Sequence, residues 1–304
     1  MKYKIRSIRS KKRSISSKRR SIIHFIRSIH SYRIIPSRII PFNLLILLQK
    51  GVFDLKKIFF IALLVFIPIS IVALALPSNE MSWGFVKSKN EQPIEMDGQT
   101  KDLLKKYDAI YEGDTSKKII YLTFDNGYEA GYTESILDTL KKHDIQATFF
   151  LTGHYVESAT DLVKRMIDDG HIIGNHSDKH PNMAKLSDQE LIDEWQRFDE
   201  KLQKLTDIKR TFYARPPQGI YNEQVLKVGK ENEYRHIFWS IAFKDWERDV
   251  RRGSDYAYNE LMNQLHPGAI ILMHTVNADN AEAIPKFIED AKAKGYSFGS
   301  LDDL

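Results

Sequence analysis

The chain has 304 residues, 42% of them hydrophobic, which is enough for a sizeable core, and it has no cysteine. That last fact excludes disulfides, thiolate metal sites and a cysteine nucleophile. The formal net charge of +5 misleads: residues 1–50 hold 14 Lys and Arg and no acid, so the remainder has 31 basic against 40 acidic residues.

Residues 1–54 do not read as a fold, since Arg, Ser, Lys and Ile recur there without a sustained period. Two readings stand: a basic arm for nucleic acid or anionic lipid, or upstream sequence translated from a misassigned start, with initiation at Leu55. Lys56-Lys57, the apolar run Ile58 to Leu76 and the small-residue site Ala73-Leu74-Ala75 then form a signal peptide. The run is near the lower limit for a membrane span, so residues 55–76 are expected as an export signal or an uncleaved anchor. Residues 77–117 are polar and carry Pro77, Pro93, Gly98 and Gly113. They read as a linker and N-terminal extension wrapping the outside of the domain, with one short helix near Asp102–Tyr107.

From residue 118 to 304 the pattern alternates. Strands are expected at 118–124, 147–152, 171–175, 211–215, 236–241, 268–273 and 296–299. Helices are expected at 132–143, 158–169, 187–205, 221–232, 254–265 and 279–294. Ser187 and Glu190 form a capping box at the third of these helices, and Gly170 and Gly295 follow helix ends as left-handed residues do. Repeated βα units imply parallel strands under helices. About seven of them point to a distorted (β/α) barrel, with an open doubly wound sheet as the alternative. No phosphate-binding glycine motif is present, which argues against a nucleotide enzyme.

Five groups stand at successive strand ends, where such folds do chemistry. Asp125 and Asn126 follow the apolar run Ile119 to Thr123; Asp125 is a candidate base or metal ligand, or it merely starts a turn. His176 and His180 are four apart, the spacing for one helical turn that chelates a metal, ended by Pro181; the alternative is two surface histidines. Arg215 precedes Pro216-Pro217, which stiffen the chain so that a guanidinium can clamp a carboxylate. Asp245-Trp246 pairs an acid with an aromatic face suited to a sugar ring, or is a buried tryptophan with a capping aspartate. His274, after Leu272-Met273, is a candidate general acid or a satisfied loop histidine.

T-F-D-N-G (123–127), H-S-x-x-H (176–180), R-P-P (215–217), D-W (245–246) and L-x-H (272–274) occur in this order, and the region 118–304 resembles the polysaccharide deacetylase family, the NodB-type carbohydrate esterase family four. FDNGYE (124–129), TGHY (152–155), FWSIAFKDW (238–246), HPGAIILMHT (266–275) and the terminal SLDDL are similar to the branch that forms muramic δ-lactam in spore cortex. The resemblance implies an exported hydrolase that removes N-acetyl groups from N-acetylmuramic acid of peptidoglycan, in the cell envelope or spore cortex. The alternatives are a deacetylase of N-acetylglucosamine or chitin-like polymers and a catalytically inactive sugar-binding module. Its implied partner is the glycan strand, with the membrane met only through residues 55–76 and no nucleic acid. By the same resemblance Asp125 is the catalytic base and Arg215 holds it. Asp245 supports the Arg and His pair, and His274 is the general acid. Tyr128, Trp246, Pro217 and Leu272 contact substrate. His176, His180 and Asn126 hold a divalent metal, with zinc the expected ion. Asn126 departs from the family's usual aspartate, so weak metal binding is expected.

Overall fold

The computed structural model describes residues 79–304 apart from Asp249. The leader expected at 1–54 and the signal or anchor at 55–76 lie outside the described residues. Among the described residues, no helix is long and apolar enough to cross a membrane.

The elements begin with β1 (Met81–Ser82) and α1 (Gly98–Lys106). Then come β2 (Ile119–Asn126), α2 (Thr133–Lys142), β3 (Thr148–Leu151), α3 (Gly153–Ser158), α4 (Thr160–Asp168) and β4 (Ile172–Asn175). After α5 (Asp188–Leu205) follow β5 (Tyr213–Ala214), β6 (Ile220–Tyr221), α6 (Glu223–Glu231) and β7 (Arg235–His236). The chain ends with α7 (Ser254–Gln264), β8 (Ile270–His274), α8 (Ala278–Ala293) and β9 (Ser297–Phe298).

Seven parallel strands form one curled sheet in the order β7-β5-β4-β3-β2-β8, with β9 also on β2. This is the distorted (β/α) barrel expected from the alternating pattern. Side chains of a strand alternate between faces, and β2 shows it. Ile120, Leu122 and Phe124 pack under the helices with Ile136, Leu137 and Leu140, while Tyr121 joins Phe150, Tyr213, Ile237 and Ile270 on the inner face. The capping box at Ser187 forms with Glu190, and Gly170 and Gly295 adopt φ of 82° and 84°.

Two expectations need correction, and one helix is additional. The strand expected at 236–241 is broken. Only Arg235–His236 pairs with β5, and Ile241 alone bridges to Ile271 of β8. Between them, Ile110 of the N-terminal extension takes the ladder positions: its N–H donates to the His236 carbonyl at 2.9 Å and its carbonyl accepts from Phe238 N–H at 2.7 Å. The helix expected at 158–169 is present as α4, but a separate short helix, α3, precedes it and was not expected. Thr152 caps α3 by accepting from Tyr155 N–H, and the chain breaks at Ala159 before α4. The segment 79–117 does more than skirt the domain. Leu104 of α1 is buried with Trp195, Tyr221 and Phe238, and β1 pairs antiparallel with β6.

Candidate active site

The inner-face register continues to the strand ends. Asp125 is the Cα partner of His274 across β2 and β8, so base and acid candidates stand side by side at the barrel mouth. Asn175, paired with Ala214 across β4 and β5, sends the chain into His176 on one strand and Arg215 on the next. These ends line a cavity of about 660 Å³ that includes Asp125, Tyr128, His176, His180, Trp246, Leu272 and His274.

Arg215 is the buried centre of the arrangement, with no exposed surface. Its Nη1 donates to Asp125 Oδ1 at 2.8 Å, and its Nε and Nη2 donate to the carbonyls of Ile237 (3.0 Å) and Phe238 (3.3 Å). Its guanidinium lies over the Phe150 ring, 4.1 Å from the centroid. These two carbonyls point at a cation instead of a neighbouring strand, a second reason why the segment after β7 is not regular sheet. Burial alone would raise the Asp125 pKa. Arg215 first, then His176 and His274, outweigh it and hold the carboxyl below its ordinary range.

His274 is held by an acid from the next strand end. Asp245 Oδ1 accepts from His274 Nδ1 at 2.7 Å, and Oδ2 accepts from the His274 backbone N–H at 2.8 Å. Burial pushes the His274 pKa down, but the Asp245 charge and hydrogen bond raise it above the ordinary histidine value. Nδ1 is thereby committed as a donor, and Nε2 is left as the atom available to a substrate. Asp245 thus supports His274 but makes no bond to Arg215. Sequence reasoning missed Asn280, whose Nδ2 donates to Asp245 Oδ2 at 2.6 Å and to the His274 carbonyl at 2.8 Å. An asparagine at the start of α8 reads as a cap, and the cap is Asn277.

The two histidines meet, with ring centroids 4.9 Å apart, but not on a helical turn. Ser177 and His180 have φ of 66° and 57°. Asn175 Oδ1 accepts from Ser177 N–H at 2.9 Å, and Ser177 Oγ accepts from His180 N–H at 2.8 Å. Such local side-chain bonds compete with helix. His176 Nδ1 lies 2.9 Å from the Arg215 carbonyl, which can only accept, so Nδ1 carries the proton. Burial pushes the His176 pKa down to about 4, so the ring is neutral near pH 7. Its Nε2 lone pair then lies 3.5 Å from Asp125 Oδ2. Two acceptors facing each other call for a cation or a donor between them. Imidazole nitrogens with an adjacent carboxylate are a donor set that a divalent ion such as zinc accepts.

Asn126 is not part of that set. Strand alternation turns it to the helix side of β2, fully buried and off the cavity wall, where Nδ2 donates to Thr275 Oγ1 at 2.7 Å and Oδ1 has no partner. Among the described residues, no group of three His, Asp or Glu side chains gathers as a metal site. Of the three residues expected as ligands, His176 and His180 stand at the cavity, beside Asp125.

Tyr128, Trp246 and Leu272 line the cavity as expected of substrate contacts, whereas Pro217 is buried and off its wall. The next two residues take its place at the wall: Gln218 at φ 60° and Gly219 at φ 67°. A Cβ on Gly219 would come within 2.9 Å of the Trp239 ring, so this turn needs glycine twice over. Trp246 is 53% exposed and stands edge-on to His274 at 6.1 Å. An exposed indole beside a catalytic-type histidine is a platform for a sugar ring. Trp239 and Thr152 also reach the cavity; in the sequence they stand out only as parts of the FWSIAFKDW and TGHY stretches.

A buried ionised carboxylate beside a protonated imidazole, in a parallel barrel with an aromatic rim, defines a hydrolase site built for acid–base cleavage of a sugar derivative. The polysaccharide deacetylase family profile matches residues 112–237. An uncharacterized 30.6 kDa protein of Geobacillus stearothermophilus is 51% identical over 80% of this chain and 91% of its own length. The peptidoglycan-N-acetylmuramic acid deacetylase PdaA of Bacillus subtilis is 49% identical over 76% of this chain and 88% of its own. The solved structure of B. subtilis PdaA, a family 4 carbohydrate esterase, superposes with a TM-score of 0.73 over 75% of this chain and 98% of that one. The chain belongs to the polysaccharide deacetylase family and is a hydrolase of amide carbon–nitrogen bonds.

Proposed function

We propose that this protein hydrolyses the N-acetyl group of N-acetylmuramic acid in peptidoglycan, releasing acetate and a free amine. The observation that carries the reaction is the pairing of Asp125, held ionised, with His274, held protonated, at neighbouring strand ends. The substrate rests on the likeness to PdaA.

In this reading the sugar lies on Trp246 and turns its acetamide toward Asp125 and His274. Asp125 takes a proton from water as the oxygen attacks the acetyl carbonyl. His274 Nε2 then gives its proton to the departing nitrogen, and the C–N bond breaks. Asp245 fixes the imidazole and stabilises its charged form, and Arg215 keeps Asp125 ionised and in place. A divalent ion held by His176 and His180 would supply Lewis-acid polarisation of the carbonyl and acidify the attacking water.

The same reading makes the protein exported through residues 55–76, acting in the cell envelope, with the freed amine closing a δ-lactam in spore cortex. The test is product analysis. Peptide-free glycan strands treated with the protein should yield acetate and muramic residues with free amines. Release from glucosamine residues alone would assign the other sugar.

A further inference from the structure

Muramic acid differs from glucosamine by one group, a lactyl ether on the carbon next to the one bearing the acetamide. That group ends in a carboxylate. If the acetamide reacts between Asp125 and His274, the carboxylate must fall on the wall of the same cavity, a few bonds away. A protein that reads muramic acid therefore needs an unspent cation there.

The candidates separate by position. Arg165, on α4, is spent on Asp138 and Asp169 and does not reach the cavity. Lys244 pairs with Glu247 at 2.7 Å and is also off the wall. Arg215 is beneath the floor and committed to Asp125. Lys179 lines the cavity, is exposed, and makes no ion pair among the described residues. The acid beside it is already neutralised: Asp178 Oδ1 lies 2.7 Å from Lys201 Nζ and Oδ2 lies 3.6 Å from Arg197.

The backbone at Lys179 is held in place. Its N–H donates to the buried Glu194 Oε2 at 2.9 Å, and Glu194 is itself bound by Arg197. The flanking left-handed residues Ser177 and His180 fix the loop on both sides. A long cationic side chain thus stands on an anchored Cα next to His180, at the edge of the reacting centre.

The geometry points to Lys179 as the residue that recognises the free lactyl carboxylate of muramic acid, and so sets specificity for muramic over glucosamine residues. This rests on the muramic acid reading above.

The test uses the full chain and two substrates: peptide-free muramic acid–containing oligosaccharides, and the same oligosaccharides with the lactyl carboxylates converted to neutral methylamides. Acetate release gives kcat and KM for the wild type, Lys179→Gln and Lys179→Arg. An exposed pair of this kind is worth up to about a fivefold change in KM. Amidation should raise the wild-type KM by that factor with little change in kcat. Lys179→Gln should raise KM on the acid form equally and no longer distinguish acid from amide, while Lys179→Arg keeps the distinction. Lys179→Gln that discriminates as the wild type does would overturn the assignment. A wild type that deacetylates only glucosamine residues would overturn the muramic acid reading itself, and the assignment with it.

Discussion

Asp125 and His274 are register partners on two adjacent parallel strands, and each is held by a different third residue: Asp125 by Arg215 and His274 by Asp245. The strands fix the spacing of base and acid, and the third residues fix their charges. The two supports do not touch each other's clients, so their removal has separable consequences.

On the base side, Arg215→Met removes the main influence that holds the Asp125 pKa down, and burial then raises it. The acidic limb of the pH–rate profile should move to higher pH. Asp125→Asn has a different cost, because it leaves Arg215 charged and buried without its partner. Denaturation should show a loss of about 3–5 kcal/mol, beyond the fall in turnover.

On the acid side, Asp245→Asn removes the charge that raises the His274 pKa. The basic limb should shift to lower pH, and kcat should fall about a hundredfold, the scale of a misplaced proton donor. Asn280→Ala should move that limb far less, since Asp245 keeps its charge and its two bonds to His274. Titration of the pH–rate profile for both variants checks this. An unchanged basic limb in Asp245→Asn would mean that His274 is not the group titrating there.

For the metal, His176 and His180 are the two imidazoles that stand together at the cavity, with ring centroids 4.9 Å apart. Zinc titration by calorimetry should show one weak site, lost in His176→Ala and in His180→Ala. Asn126→Ala should leave it intact, because Asn126 lies on the helix side of β2. Loss of zinc binding in Asn126→Ala without loss of fold would place Asn126 among the ligands after all.

Stability should fall on acidification above the range where carboxylates titrate. Burial lowers the pKa of both His171 and His236 to about 4. An unfolded histidine titrates near 6.5, so between roughly pH 6.5 and 4 the unfolded chain binds more protons than the folded one. The contribution is therefore fully present above that window and lost as pH falls through it. Both ring nitrogens of His236 lack a partner, so an apolar replacement leaves no donor or acceptor stranded. Denaturant midpoints measured across the window should drop for the wild type and drop less for His236→Leu.

The barrel and the mouth residues were legible in the sequence because polar groups at strand ends interrupt otherwise apolar runs. What was not legible depended on contacts made by distant residues. The break after His236 needs Ile110 and Arg215 to occupy backbone groups that a strand would use. The loop at His176–His180 has the spacing of a helix, but Asn175 and Ser177 bend it otherwise. Asn126 follows Asp125 in sequence, yet a strand's two-residue period sends neighbours to opposite faces. That rule was available and would have kept Asn126 from the ligand set. Asn280 gains its role only because α8 starts beside Asp245.

The most direct test of the acid–base account is the pH dependence of acetate release from peptide-free peptidoglycan by the wild type and by His274→Ala. The wild type should give a bell, its acidic limb set by an Asp125 below the ordinary carboxylate range and its basic limb by a His274 above the ordinary histidine value. His274→Ala should lose about a hundredfold in turnover and the whole basic limb. If it keeps wild-type turnover, or keeps that limb, another group donates the proton and the account is wrong.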